Sequence, residues 1–224
     1  MDLVSRGVLL DALGTLVELQ PPAPRLRALL AAEGFSVSEE RAAAAFRAEI
    51  AYYLEHHLEG ATREGLSELR DRCAATLLDA LELPGLDPAL GRRAMLAALE
   101  FTPYPDAAPA LKALRAGGHP LAIVSNWDCS LGDWLEPSGL TALVDVVVTS
   151  AGTGAAKPDP LIFRRALDLL GVEAARAVHV GDSLDTDVDG ARAAGIRAVL
   201  VAREGHAARG VEAVRSLGEL LSLL

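Results

Sequence analysis

Lysine is nearly absent from this chain: of its 21 basic residues, all but Lys112 and Lys157 are arginine. Cysteine is scarce as well, represented only by Cys73 and Cys129. These two lie too far apart for metal-ligand spacing, so they read as free thiols in a reducing cytosol. No apolar run approaches the roughly 18–20 residues that a membrane span needs, although 51% of the sequence is hydrophobic. The opening MDLVSRGVLLDALG has an acid at its second residue and runs into a strand-like segment, unlike a signal peptide. A cytoplasmic location without a membrane partner is therefore expected. The net charge of -10 argues against nucleic acid or an anionic membrane as the main partner. Repeats and low-complexity tracts are missing too.

What is present is a strand-and-helix rhythm. Five short apolar segments read as buried parallel strands: GVLLDA (7–12), LAIVSN (121–126), VDVVVTS (144–150), AVHVGDS (177–183) and AVLVA (198–202). Each is short, β-branched and bounded by Gly, Ser or Asp. Between the later ones lie helical patterns: PDPLIFRRALDLLG, with Pro near its start and Gly just past its end, and DTDVDGARAAG. This alternation predicts an α/β fold, a Rossmann-like doubly wound parallel sheet with helices on both faces.

The first interval breaks the rhythm. Residues 13–120 separate the first two strands, far more than a βα crossover requires. Most of the interval reads as amphipathic helix, and only DAAPALKALRAGG, with Asp106 as the expected N-cap, looks like an ordinary crossover. Residues 18–102 are therefore expected to form an inserted helical cap, and 1–17 with 103–224 the α/β core. An insertion at that point belongs over the carboxyl ends of the strands, where open parallel sheets bind ligands.

Four strand ends carry polar residues that could converge there. The first ends in Asp11, followed by Leu13, Gly14 and Thr15; the second in Ser125 and Asn126. After the third comes GTGAAKPDP with Lys157, and the fourth ends in GDSLDTD with Asp182 and Asp187. Charges at the ends of buried strands are costly unless matched. Three carboxylates around one ammonium repel one another, so a divalent cation is the natural neutraliser, and oxygen-only ligands suit Mg²⁺. A hydroxyl, amide donors and an ammonium match the oxygens of a transferring phosphoryl group. Lys157 stands out in a chain that otherwise uses Arg, because a compact ammonium fits where a planar fork does not.

The segments LLDALGTL, IVSNWD, AAKPDP and VHVGDSLDTDVDGA, in this order and each at a strand end, resemble the haloacid-dehalogenase-like hydrolases. The likeness is to the subfamily IA-like branch with a helical cap after the first strand, and it extends over nearly the whole chain. It implies a strand order of 5-4-1-2-3. It also implies that Asp11 is the nucleophile, forming an ester on its own carboxylate. Gly14 and Thr15 would form the turn beside the transferred group, while Ser125 and the backbone around Asn126 would bind its oxygens. Lys157 would hold the charges of Asp11 and the bound anion together. Mg²⁺ would be ligated by Asp11, Asp182 and the main-chain carbonyl of Leu13, with Asp187 in support.

Leu13 departs from the phosphatase pattern, which has an Asp two residues after the nucleophile. That acid protonates the leaving oxygen and is worth about 10²- to 10⁴-fold. Three readings follow. The favoured one is a phosphohydrolase acting on a small phosphorylated molecule with a good leaving group, or drawing its acid from elsewhere; Glu18, Asp128, His56 and His57 are candidates. The second is a binding or regulatory protein on the same fold. The third is a dehalogenase, disfavoured because carbon–halogen cleavage needs no metal and no arginine precedes Arg25 after Asp11. Other residues carry bland readings. Tyr52 over His56 and Tyr53 over His57 are expected to pack between cap helices, and Arg70 and Arg72 to lie on an exposed helix face. Trp127 either flanks the entrance or fills core. Asp185 and Asp189 are expected to serve the turn or helix start. Oligomeric state is not encoded in any feature of the sequence.

Overall fold

The computed structural model describes residues 6–203 and 210–224. Its strands are β1 (Gly7–Leu10), β2 (Val17–Leu19), β3 (Phe101–Pro103), β4 (Leu121–Ser125), β5 (Val146–Thr149), β6 (Ala177–Gly181), β7 (Arg197–Val201) and β8 (Ala213–Val214). Its helices are α1 (Pro22–Ala32), α2 (Glu39–His56), α3 (Arg63–Leu81), α4 (Pro88–Ala98), α5 (Ala107–Ala116), α6 (Leu131–Leu135), α7 (Ser150–Thr153), α8 (Pro160–Leu170) and α9 (Gly190–Ala193). The chain divides into two compact units, Met1–Glu18 with Thr102–Leu224, and Leu19–Phe101.

In the first unit a parallel sheet runs in the order β5-β4-β1-β6-β7-β8. The order expected for the five core strands is therefore present, with β8 added outside β7. β1 is central: Leu9 sits opposite Ala122 of β4 and His179 of β6. β1, β4 and β6 are buried along their whole length, which is why they read as unbroken apolar runs rather than alternating ones. Ile162, Phe163, Ala166 and Leu167 of α8 pack with these strands in one apolar cluster.

Local chemistry accounts for the helix ends. Asp159 accepts from the backbone N–H of Leu161, Pro160 follows, and Gly171 closes α8 at φ 66. Asp106 behaves differently from its expected N-cap role. Its side chain makes no capping bond and instead takes both guanidinium nitrogens of Arg203 and the backbone N–H of Leu217. A charged fork outcompetes a single backbone donor for those oxygens. The stretch DTDVDGARAAG is helical as expected, but not uniformly α-helical. It splits into a π-helical turn, Leu184–Asp189, and the short α9.

The second unit is helical. Leu26 and Leu30 of α1, Phe46 of α2, Leu69, Leu77 and Leu81 of α3, and Met95 of α4 form its core. Ser38, Thr62 and Asp87 each accept a backbone N–H at the start of α2, α3 and α4. Tyr52 stacks on His56 with ring centroids 4.3 Å apart, and Tyr53 lies 6.0 Å from His57. Arg72 pairs with Glu59, which also accepts from His56. Cys73 is buried, and neither cysteine forms a disulfide. No helix among the described residues is long and apolar enough to cross a membrane.

One ionisable group lies inside the helical core. Glu49 of α2 is only 5% exposed. Burial pushes its carboxyl up to about 7, and a hydrogen bond with Cys73 offsets only part of that. The unfolded chain would release this proton near 4.5, so between roughly pH 4.5 and 7 the folded state holds a proton that the unfolded state has lost. Stability should therefore fall as pH rises through that window, by about 3 kcal/mol at about 1.4 kcal/mol per pH unit. Glu49→Gln removes this penalty. In thermal melts the variant should gain several degrees over wild type at pH 8 and close to nothing at pH 4.5. A difference that stays constant across pH would rule out the buried ionisation.

Candidate active site

The parallel sheet sends β1, β4 and β6 to the same edge, and each hands over a polar group there. Asp11 follows β1, its backbone N–H bonded to the Val180 carbonyl of β6 at 2.9 Å. Ser125 ends β4, and its hydroxyl donates to Asp11 Oδ1 at 2.9 Å. Lys157 comes from the loop between α7 and α8. Asn126 grips that loop at both ends of its amide: Lys157 N–H donates to Asn126 Oδ1 at 2.7 Å, and Asn126 Nδ2 donates to the Lys157 carbonyl at 3.0 Å. The Asn126 side chain thus places Lys157.

The ammonium so placed donates to Asp11 Oδ1 at 2.5 Å and to Asp187 Oδ1 at 2.6 Å. All three side chains are almost wholly buried. Burial pulls the Lys157 ammonium down, but the charges and hydrogen bonds of Asp11 and Asp187 outweigh it and hold the group above its ordinary value. Asp187 accepts a second bond on Oδ1, from His179 Nε2 at 2.8 Å, and one on Oδ2 from the Ser183 N–H at 3.1 Å. Burial raises Asp187, yet the His179 and Lys157 bonds win and hold it below the usual carboxylate range.

Asp182, the third acid, is exposed in the turn after β6. The protein mass around it and the charges of Asp11 and Asp187 push it up to about 6. One oxygen each from Asp11, Asp182 and Asp187 lie within 4.8 Å of one another. Burial and the Asp187 charge raise Asp11 as well, more than Lys157 and Ser125 lower it. Three acids and one ammonium leave an excess of negative charge. Closely spaced carboxylate oxygens with that excess fit a hard divalent cation.

Two glycines permit this closeness. Gly14 has φ +82, and a Cβ there would sit 2.0 Å from Asp182 Oδ2. A Cβ on Gly181 would sit 2.2 Å from Asp187 Cγ. Both positions are closed to any side chain.

The remaining candidates divide. Leu13 points outward, 41% exposed, while its backbone bridges to Val17. Thr15 is fully buried, its hydroxyl without a partner among the described residues. Its carbonyl accepts from Arg203 at 2.7 Å. Trp127 is 7% exposed and fills core. Asp128 is buried and takes the Ser130 N–H and hydroxyl at 2.7 and 2.6 Å, so it serves its own loop. Glu18 is exposed, as are Asp185 and Asp189. The residue that sequence reasoning passed over is His179. Its signal was a lone histidine inside the apolar run AVHVG.

Comparisons with known proteins place the chain in a family. The family model for haloacid dehalogenase-like hydrolases matches residues 6–195. Haloacid dehalogenase-like hydrolase domain-containing protein 3 of Bos taurus is 49% identical over 92 residues, 41% of this chain and 37% of that protein. Phosphatase MT3486 of Mycobacterium tuberculosis is 41% identical over 123 residues, 54% of this chain and 55% of that protein. The matched stretches thus span between about a third and about half of these relatives. Among solved structures, L-2-haloacid dehalogenase from Xanthobacter autotrophicus superposes with a TM-score of 0.74 at 25% identity, covering 98% of both chains. A pattern that runs from β1 to the end of α9 makes the chain a member of the haloacid dehalogenase-like hydrolase family.

Proposed function

We propose that this chain hydrolyses a small phosphorylated molecule through an aspartyl-phosphate on Asp11, with Mg²⁺ held by Asp11, Asp182, Asp187 and the Leu13 carbonyl. The observation that carries this reading is the buried ammonium of Lys157 joining Asp11 to Asp187 within reach of a third acid. A relative named as a phosphatase supports the substrate class. When bound, Mg²⁺ supplies positive charge against the oxygens of the phosphoryl group.

The protein's own groups account for the rest. Lys157 and Ser125 both donate to Asp11 Oδ1, so the carboxylate plane is fixed before substrate arrives. A carboxylate oxygen of Asp11 forms a bond to phosphorus as the bond to the leaving oxygen breaks, and that oxygen departs with the electron pair. Lys157 and Ser125 carry donors to the same place, where they can meet charge spreading over the phosphoryl oxygens. Water then attacks the phosphorus of the aspartyl ester, inorganic phosphate leaves, and the Asp11 carboxylate is restored.

No carboxyl stands at position 13 to protonate the leaving oxygen. Rates should therefore depend on how well that oxygen leaves by itself, which favours acyl or aryl phosphates over alkyl ones. The dehalogenase reading has a structural neighbour in its favour. The clustering of three carboxylates weighs against it, since halide displacement from carbon requires no metal.

Two measurements test the proposal. Phosphate release from acetyl phosphate should depend on Mg²⁺, exceed that from a sugar phosphate by about 10²-fold or more, and vanish in Asp11→Asn. Wild type and Asp11→Asn behaving alike across a broad substrate panel would transfer the case to a binding protein. Leu13→Asp supplies the missing acid at an exposed position, where a substitution should change stability by no more than about 0.5 kcal/mol. It should raise alkyl-phosphate turnover at least about tenfold, while acetyl phosphate gains much less. An unchanged ratio would mean that another residue already delivers the proton.

A further inference from the structure

His179 is enclosed in the middle of β6 with 1% of its surface exposed. Its ring edge meets Phe163 of α8 at a centroid distance of 4.9 Å and an interplanar angle of 85°. Nδ1 is buried with no partner among the described residues, whereas Nε2 lies 2.8 Å from Asp187 Oδ1. An ionised carboxylate can only accept, so the proton between them belongs to Nε2. A polar ring in an all-apolar strand, with one nitrogen left unpaired, is costly to keep for packing alone. An apolar side chain of similar volume would fill the space without that cost.

The gain lies on the other side of the bond. Asp187 reaches back over Gly181 from the π-helical turn, and three donors hold it: His179 Nε2, Lys157 Nζ and the Ser183 N–H. The Lys157 and Ser183 bonds come from a long flexible side chain and a turn. His179 is the one donor anchored in the sheet itself, on a strand paired to both β1 and β7.

We propose that His179 is a positioning residue that locks the Asp187 carboxylate through Nε2–H, so that Asp187 in turn holds the Lys157 ammonium against Asp11. The chain of contacts runs from sheet to histidine, to acid, to ammonium, to nucleophile. Its effect on turnover rests on the phosphohydrolase reading above, but the His179–Asp187 bond itself does not. Outer-shell partners of this kind are typically worth 10- to 100-fold in metal affinity or activity.

The test has two parts. In ¹⁵N-labelled full-length protein, long-range ¹H–¹⁵N spectra of the histidine rings report which nitrogen of His179 carries the proton. We expect an Nε2–H that exchanges slowly, and whose resonance moves in Asp187→Asn. A proton on Nδ1 alone, or a resonance that Asp187→Asn leaves in place, would overturn the proposal. This readout needs neither metal nor substrate, so it stands apart from the assignment of function. If wild type shows no Mg²⁺-dependent turnover, the phosphohydrolase reading falls and the spectrum still decides the role of His179.

The second part compares His179→Gln, which keeps a donor at similar reach, with His179→Leu, which removes it. Mg²⁺ affinity is read by calorimetry on the protein without substrate, and kcat and KM are read with acetyl phosphate. His179→Leu should weaken Mg²⁺ binding or lower kcat by roughly 10- to 100-fold with KM within about threefold, and His179→Gln should recover most of the loss. Equal losses in the two variants, or a folded His179→Leu with wild-type affinity and kcat, would reduce His179 to a packing residue. If His179→Leu does not fold, the spectrum and the His179→Gln comparison with wild type give the answer.

Discussion

One ammonium shared by two acids organises this edge of the sheet. Lys157 lies between Asp11 and Asp187 with all three side chains nearly sealed from water. Taking such charges out of water costs several kcal/mol per ion and is recovered only where geometry and hydrogen bonding are close to complete. Here they are. Lys157 donates to both acids, Asp11 also accepts from Ser125, and Asp187 also accepts from His179 and Ser183. Removing Lys157 would leave two buried carboxylates without their shared countercharge, a loss of about 3–5 kcal/mol by analogy with other broken buried pairs. The group that prepares the site therefore also pins together the end of β1, the turn after β6 and the loop before α8.

That dependence explains why some small residues stand where they do. Asp182 can crowd the turn after β1 only because Gly14 has no Cβ, and Asp187 can fold back on β6 only because Gly181 has none. Gly190 plays a similar part behind the site. A Cβ there would meet Phe163 at 2.8 Å and the Pro158 backbone at 2.9 Å, close to the loop that carries Lys157. The short spacings between acids and glycines in the motifs are thus records of close approach. They are steric before they are chemical.

The same physics divides what the sequence made legible from what it did not. The five core strands were visible because a strand buried on both faces must be an apolar run, and each run ended where the chain became polar. Lys157 stood out through scarcity. Asp106 misled because a single chain cannot show that Arg203, nearly a hundred residues away, would claim its oxygens. His179 showed only as a lone histidine in an apolar run, and its bond was hidden for a related reason. Its partner Asp187 lies eight residues on, in a π-helical turn that departs from ordinary helical spacing. Periodicity finds elements; it does not find bonds that depend on how one element is underwound or how two distant ones meet.

Leu13 shows where packing stops constraining the chemistry. Its side chain is 41% exposed, and the structural duties of the turn fall on backbone groups around it: the Ala12 carbonyl accepts from Leu16 and Val17, and Gly14 N–H donates to the Val17 carbonyl. Any side chain could perform those duties, so folding alone does not select leucine there. Neighbouring positions are different: Asp11, Gly14 and Thr15 are each held by charge, by contact or by complete burial. A position free of structural demand, two residues from a buried acid that is not free, is where a change of residue can bear on chemistry with little effect on the fold. On the proposed function, leucine at that point would leave Asp11 able to make an ester and the departing group to carry its own charge.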